Sequence, residues 1–308
     1  MNITNLSAEP DWKLRQWLPQ NAEADNVIFF PDACPGKSPL PTGTATHIAH
    51  ENWRPFALSD CGCGMRLLRS HLDTGALAMN KWEAVTDRLR SNKGKLGDLG
   101  GGNHFLDALS SYNDDRLYFL IHTGSRNESG LVDDLVDTPK AFDKEFDRIV
   151  EWARQNREAV EHTLEKEFGK MELVLDLPHN TYEAVPEGGA IIRKGAVHIQ
   201  PGEVNVLPSH LSGDVALVTA TKKVEETLFS LSHGTGRAVP RSEAKLYADS
   251  YDFEALRKRV LIPDSIGNDS LRTDGPYAYR DLDECLALLD GYVEVTERFA
   301  VVGYIGHV

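Results

Sequence analysis

Asp60-Cys61-Gly62-Cys63-Gly64-Met65-Arg66 is the stretch around which the chain is organised. A carboxylate and a thiol three residues apart, set between glycines, make a poor core and a good seat for a divalent cation. The glycines let the backbone turn tightly enough to aim both side chains into one cavity. Asp offers a hard oxygen and Cys a soft thiolate, a pair better suited to Mn, Zn or Fe than to Mg or Ca. Taken alone, Cys63 reads equally well as a small buried hydrophobe. The other cysteines, Cys34, Cys61 and Cys285, do not form paired CxxC motifs for a structural zinc site, and Cys61 lies too close to Cys63 for an ordinary disulfide.

Outward from that stretch, histidines recur at the ends of apolar runs. Gly100-Gly101-Gly102-Asn103-His104 is a glycine loop that returns at once to apolar sequence. Leu117 to Ile121 reads as a strand delivering His122, and Leu173 to Leu177 as a strand delivering His179. Each histidine alone fits a hydrogen-bonded core or loop residue. Together with Asp60 and Cys63 they make five ligands, too few for two closed tetrahedral sites and enough for two open ones if Cys63 bridges. His233-Gly234-Thr235-Gly236-Arg237 differs in kind. Glycine-rich N–H groups and a guanidinium are phosphate-binding equipment, and an imidazole among them can attack phosphorus to form a phosphoramidate. The plain alternative is a loop histidine beside a structural arginine.

The rest of the chain reads as scaffold. Residues 1–26 are polar, with a short helix around Trp12 to Leu18. Val27 to Phe30 is a strand that breaks at Pro31-Asp32, ahead of a loop rich in Gly, Pro and Thr. His47 and His50 beyond it fit solvated loop positions. Leu77 to Leu89 has helical spacing, and residues 140–168 form the longest helical tract, with a stripe of Phe142, Phe146, Ile149, Val150 and Trp152 and a structural role. Residues 188–220 are β-rich, and a helix (Asp281 to Leu289) and a strand (Tyr292 to Val302) close the chain. With 308 residues, no repeat and no linker, the expectation is one domain over 1–308. A hydrophobic fraction of 41% and a charged fraction of 26% fit a globular chain. No apolar run reaches membrane-span length and the N-terminus lacks a signal pattern, so a cytoplasmic address with no membrane partner is expected. The formal net charge of −14 argues against a broad basic nucleic-acid face. Contact with RNA ends would then need a local basic patch or metal ions at the phosphates.

The ordered set of the Asp60 motif, the Gly100–Phe105 loop, His122-Thr123-Gly124-Ser125-Arg126, His179-Asn180, Arg193-Lys194-Gly195 and the His233 motif resembles the RtcB family of RNA ligases. Pro31-Asp32 resembles that family's early motif, and Tyr279-Arg280-Asp281 its late one. The resemblance runs from about residue 27 almost to the C-terminus. It implies an α+β (mixed α/β) fold of β-sheets surrounded by helices around a central metal site. It implies that Asp60, Cys63, His104, His122 and His179 hold two Mn²⁺ ions, with Cys63 shared. It implies that His233 attacks the α-phosphate of GTP and carries GMP covalently, so that an RNA 3′-phosphate or 2′,3′-cyclic phosphate end is joined to a 5′-hydroxyl end. Asn103, Phe105, Asp107, Pro208, Ser209, His210, Leu211, Gly234, Thr235, Gly236 and Arg237 would line the nucleotide, with Asn103 and Arg237 at its phosphates. The implied partners are broken RNA, such as tRNA or rRNA in processing and repair, and a release-factor-like protein of the kind linked to short family members.

Three departures fall on base and ribose recognition. Asp107 stands where the family has Glu, Pro208-Ser209-His210-Leu211 where it has Pro-Gly-Ser-Met, and Ile305-Gly306 where it has Lys-Gly. The metal positions and His233 are intact, which leaves GTP against another nucleotide as the open question. Two other readings stand beside the ligase. One is a metal-dependent phosphodiesterase or phosphatase that opens cyclic ends without joining them. The other is a non-catalytic RNA-end-binding module.

Overall fold

The computed structural model describes residues 1–36, 39–57, 60–186, 188–306 and 308, with the side chains of all of these except Arg126 and Asn127. Lys37 of the early loop and the Arg126 side chain of the His122 motif therefore lie outside the described residues. In chain order the first strands are β1 (Asn2–Asn5), β2 (Asn26–Cys34), β3 (Thr42–Ile48), β4 (Gly64–Asp73), β5 (Phe105–Ser111), β6 (Arg116–Thr123) and β7 (Glu172–Pro178). They are followed by β8 (Asn180–Ala184), β9 (Ala190–Lys194), β10 (Ala196–His198), β11 (Val204–Pro208), β12 (Asp214–Ala220), β13 (Ser230–Ser232) and β14 (Val293–Gly306). The helices are α1 (Asp11–Trp17), α2 (Met79–Ser91), α3 (Pro139–Phe168), α4 (Arg241–Tyr247), α5 (Phe253–Arg259), α6 (Asn268–Leu271) and α7 (Leu282–Leu288). The architecture is α+β, as the resemblance implies.

Two sheets carry the molecule. One has the order β1-β2-β3-β9-β8 and is antiparallel except for the parallel β1–β2 edge. The other, β11-β12-β14-β5-β6-β4-β7, is antiparallel throughout. The short β10–β13 ribbon touches β3 of the first sheet and β7 of the second, and so ties them together.

The continuous apolar run Val27-Ile28-Phe29-Phe30 has a simple cause. Successive strand residues face opposite sides. Val27 and Phe29 pack under α1 and the first half of α3, whereas Ile28 and Phe30 pack into the core between the sheets with Val197, Leu207 and Val218. The sheet is thus buried on both faces. A third cluster sets Trp82 of α2 and Leu164 and Phe168 of α3 against Leu67, Phe119 and Ile121 of the large sheet. Each such side chain contributes roughly 1.5–3 kcal/mol when fully buried.

Contrary to the sequence expectation, β2 does not stop at Pro31-Asp32. Its pairing with β3 skips from Phe29↔Thr44 to Cys34↔Thr42, so Pro31, which has no N–H to donate, sits within the irregularity. The strand continues and carries Asp32 into the interior, fully buried. Residues 1–26 are also less featureless than they read, since Asn2–Asn5 add a parallel strand to β2.

Helix α3 begins with Pro139 in its first turn and ends at Gly169, whose φ of 76° stops it. Its stripe is rotated from the expected one: Phe142, Phe146, Ile149, Ala153, Val160 and Leu164 are buried, whereas Val150 and Trp152 are half-exposed. Within that stripe Asn156, Arg157 and Glu161 are buried as well.

Candidate active site

Antiparallel pairing explains why distant histidines meet. The starts of β4 and β5 lie beside the ends of β6 and β7: Gly64 pairs with both Thr123 and Pro178, and Phe105 pairs with His122. Cys63, His104, His122 and His179 occupy those four strand ends, so one edge of the sheet gathers them all. The Nε2 atoms of His104 and His122 each lie 3.4 Å from Cys63 Sγ. His104 Nε2 is 3.3 Å from Asp60 Oδ2, and His122 Nε2 is 3.4 Å from His179 Nε2. Two donor groups result, Asp60–Cys63–His104 and Cys63–His122–His179, each with its ligand atoms within 4.8 Å of one another. The sulfur belongs to both.

The donor set fits a borderline divalent cation, because lone pairs of a thiolate, imidazoles and one carboxylate converge on a small volume. Burial and neighbouring histidines push His122 and His179 well below the ordinary imidazole range, which keeps them in the neutral, ligating form. Burial and the Asp60 charge push the Cys63 thiol well up. Burial also raises the Asp60 carboxyl, but the hydrogen bond and charge of His104 outweigh it and hold the carboxyl below its usual range. Lys194 stands near Asp60 and Cys63; burial lowers it while those two groups raise it.

The loop holding Asp60 and Cys63 is fixed from several sides. Asp60 itself takes φ of 43°, a left-handed conformation that Asp tolerates better than most residues. Gly62 N–H donates to Asn180 O, His179 N–H to Cys63 O, and Arg157 Nη1 to Gly62 O. Gly124 leaves room for the site: a Cβ there would lie 2.6 Å from Asp60 Oδ1 and 3.0 Å from Cys63.

His233 stands next to this cluster, its ring centroid 4.5 Å from that of His179. Its Nδ1 lies 2.7 Å from Gly195 O and 2.6 Å from Asp32 Oδ2. Both neighbours only accept, so Nδ1 carries a proton; its hydrogen bond runs to Gly195 O, Asp32 Oδ2 adds a close ionic contact without hydrogen-bond geometry, and Nε2 is the ring nitrogen left over. Asp32 is held in turn by Ser232 Oγ, which donates to Oδ1 at 2.7 Å. Gly236, at φ 69°, passes so close that a Cβ would meet Asp32 Cα at 2.7 Å. Asn180 joins the two halves of the site, because its Nδ2 donates to Asp60 O while its Oδ1 accepts from Gly195 N.

His122 and His233 form one wall of a cavity of about 410 Å³, within the range of small-ligand pockets. All the sequence-predicted nucleotide positions line it: Asn103, Phe105, Asp107, Pro208, Ser209, His210, Leu211, Gly234, Thr235, Gly236 and Arg237. Asp107 enters from β5 beside Tyr304 of β14, its cross-strand partner. Its Oδ1 is buried without a hydrogen-bond partner among the described residues, and burial pushes the carboxyl well above its usual range. Arg237 is already engaged: Nη1 donates to Thr273 O, Nη2 to Asp274 Oδ1 at 2.7 Å, and the guanidinium lies 4.6 Å from the Tyr279 ring. His47 and His50 lie apart from the site, one paired with Asp25 and the other with Ala22 O.

Comparison with known proteins turns this geometry into a relationship. The profile of the family described as "tRNA-splicing ligase RtcB" matches residues 140–306, just over half of the chain. The chain belongs to the RtcB family. It is 26% identical to the RNA-splicing ligase RtcB2 of Escherichia coli strain ATCC 25922, over 85% of this chain and 83% of that protein. It is also 26% identical to the tRNA-splicing ligase RtcB of Nanoarchaeum equitans, over 80% of this chain and 67% of that one. His179 and His233 fall inside the range matched by the RtcB profile; Asp60, Cys63, His104 and His122 precede it.

Several residues that this RtcB-family site uses carry little signal in the sequence. Asp32 shows there only within Pro31-Asp32, the stretch that resembles the family's early motif, and Asn180 only within His179-Asn180, neither with a role of its own. Asn156 and Arg157 sit at stripe positions of α3, where polar residues read as a solvated face. No helix among the described residues is long and apolar enough to cross a membrane.

Proposed function

We propose that this chain is an RNA ligase that joins an RNA 3′-phosphate or 2′,3′-cyclic phosphate end to a 5′-hydroxyl end, using two Mn²⁺ ions, GTP and a covalent His233–GMP adduct. The observation that carries the reading is Cys63 shared between two donor groups beside a histidine whose Nδ1 is engaged and whose Nε2 is left over. Asp60, Cys63, His104, His122 and His179 would hold the cations. Such ions neutralise phosphate oxygens while P–O bonds exchange. The residues of the chain do the rest. His233 Nε2 forms a bond to the α-phosphorus as the α–β phosphoanhydride bond breaks and pyrophosphate leaves. Asp32 and Gly195 O keep the proton on Nδ1 and stabilise the charge that the ring gains. A cyclic end is first opened by water, which adds to phosphorus as the bond to the 2′-oxygen breaks, and an oxygen of the resulting RNA 3′-phosphate then takes the GMP from His233. The 5′-hydroxyl oxygen attacks the activated 3′-phosphorus, GMP departs, and the phosphodiester is complete. Asp107, buried in the cavity lining, reads the base edge, and Asn103 meets the nucleotide phosphates. One catalytic domain over residues 1–308, acting in the cytoplasm on broken tRNA or rRNA with a release-factor-like partner, completes the reading.

The test is covalent labelling. Purified protein is incubated with Mn²⁺ and GTP or ATP radiolabelled at the α-phosphate, alongside His233→Ala and Cys63→Ala. Label from GTP that survives denaturation, is lost in acid and is absent from both variants is the expected outcome. Label from ATP alone would move the base assignment. No label from either, with cyclic-phosphate opening retained, would leave a metallophosphodiesterase.

A further inference from the structure

Asp274 stands in the cavity wall between α6 and Tyr279, 4% exposed and outside every motif that marks the site in the sequence. One of its oxygens gathers three side chains. Oδ1 accepts from Arg237 Nη2 at 2.7 Å, from the Tyr279 hydroxyl at 3.0 Å and from Arg241 Nη2 at 3.3 Å. Oδ2 accepts from Thr273 Oγ1 at 2.8 Å, and the backbone carbonyl accepts from Leu211 N–H at 3.4 Å. The Tyr279 hydroxyl also accepts from Arg237 Nη2, and Arg241 donates to Gly102 O. The glycine loop, residues 208–211, the His233 motif and the Tyr279 motif thus converge on one residue.

Arg237 and Arg241 line the same cavity as His233. Guanidinium groups bind phosphate oxygens through a planar fork, so their orientation matters as much as their charge. Two of them on one wall repel, and each long side chain has rotamer freedom to lose before it can hold a substrate. A buried carboxylate between them removes the repulsion and fixes both before the substrate arrives. It also cancels part of the positive charge that the wall would present to a polyanion. Affinity for a triphosphate is therefore lower than two unneutralised arginines would give, and so is affinity for departing pyrophosphate. Tight binding shared by ground and transition states does not speed the chemical step, whereas fixed geometry does.

We propose that Asp274 is a positioning residue for nucleotidyl transfer, aligning Arg237 and Arg241 along the phosphates and limiting the positive charge of their wall. It acts through the two arginines. The proposal rests on the ligase reading above for the reaction, but not for the wall's affinity for polyphosphates.

Asp274→Asn keeps the shape and one acceptor oxygen and removes the charge. Single-turnover labelling of His233 with saturating GTP and Mn²⁺ reads the alignment. Calorimetry with GTP and with pyrophosphate, in a His233→Ala background that prevents turnover, reads the charge. The labelling rate should fall about 10²-fold, while GTP and pyrophosphate bind severalfold more tightly than without the substitution. A wild-type labelling rate would overturn the proposal. So would unchanged or weaker affinity, since a wall that has merely lost its packing loses rate and affinity together. If Asp274→Asn does not fold, Thr273→Val serves, because it removes only the donor to Oδ2. It should slow labelling about tenfold with affinities unchanged, and a wild-type rate there would equally overturn the proposal. Absence of label in the wild-type protein sinks the ligase reading. Pyrophosphate affinity then decides the proposal by itself, a gain in Asp274→Asn upholding it and no gain overturning it.

Discussion

At the scale of single residues, the decisive group is Asp32. It is fully buried, its Oδ2 lies 2.6 Å from His233 Nδ1, and Ser232 fixes its other oxygen. Asp32→Asn keeps the shape but replaces an acceptor with an amide that can present N–H to Nδ1, favouring the tautomer whose Nε2 is protonated and unable to attack. The labelling rate should fall by about 10²–10⁴, as tautomer errors do in comparable histidine pairs, while nucleotide binding measured by calorimetry changes little. Equal labelling rates in the two proteins would show that Gly195 O alone sets the tautomer. His210 carries a second expectation. Burial, and next the Arg259 charge, push its imidazole down from 6.5 to about 4. As pH falls below about 6.5 the unfolded chain takes up this proton and the folded chain does not, so stability is lost progressively until about pH 4. The slope from this group is at most about 1.4 kcal/mol per pH unit. Denaturation midpoints measured between pH 7 and 4 should fall less steeply for His210→Gln than for wild type.

At the scale of elements, α3 does more than cover the sheets. Arg157 is buried, donates to Asp176 at 2.6 Å, and reaches Gly62 O at 3.0 Å and Thr123 O at 3.3 Å. Asn156, next to it, binds Gly97 N, Asp98 O and Gly124 O. One helix therefore pins three loops around the metal-ligand cluster. Arg157→Met fits the volume but orphans two carbonyls, and Asp176 then keeps only Arg66. Loss of a buried partner of this kind costs about 3–5 kcal/mol, which urea midpoints would show, and metal content should fall with it. An unchanged midpoint would mean the loops hold themselves. The legibility of the sequence divides along the same line. Strand and helix positions follow from apolar runs such as Val27 to Phe30 and from the spacing of Phe142, Phe146 and Ile149, because burial of periodic faces is a local signal. The five metal-ligand candidates are legible because Gly-flanked Asp60 and Cys63 and strand-end histidines are unusual locally. Asn156 and Arg157 are not, since each acquires its role only from partners far along the chain, Gly124 and Gly62; Asp32 and Asn180 are visible as members of motifs, but their roles come only from His233 and Gly195.

At the scale of the whole molecule, the metal-ligand cluster is the place where distant stretches of chain would be cross-linked. Its ligands come from the loop before β4, the start of β5, the end of β6 and the residue after β7. A cation bound there and not to the unfolded chain stabilises by mass action, about 2.7 kcal/mol at a hundredfold excess over the dissociation constant. For a chain of this length that raises the melting temperature by roughly 5 °C per occupied site, a shift that a chelator should abolish. The sharing of one sulfur makes the stoichiometry diagnostic. His179→Ala damages only the Cys63–His122–His179 group, and Asp60→Ala only the Asp60–Cys63–His104 group. Each should retain about one Mn²⁺ per chain where wild type retains about two, with roughly half the thermal shift. Cys63→Ala removes a ligand from both groups and should retain none. If elemental analysis instead finds one ion in Cys63→Ala, the sulfur serves a single site, and the bridging role on which the ligase reading leans is lost.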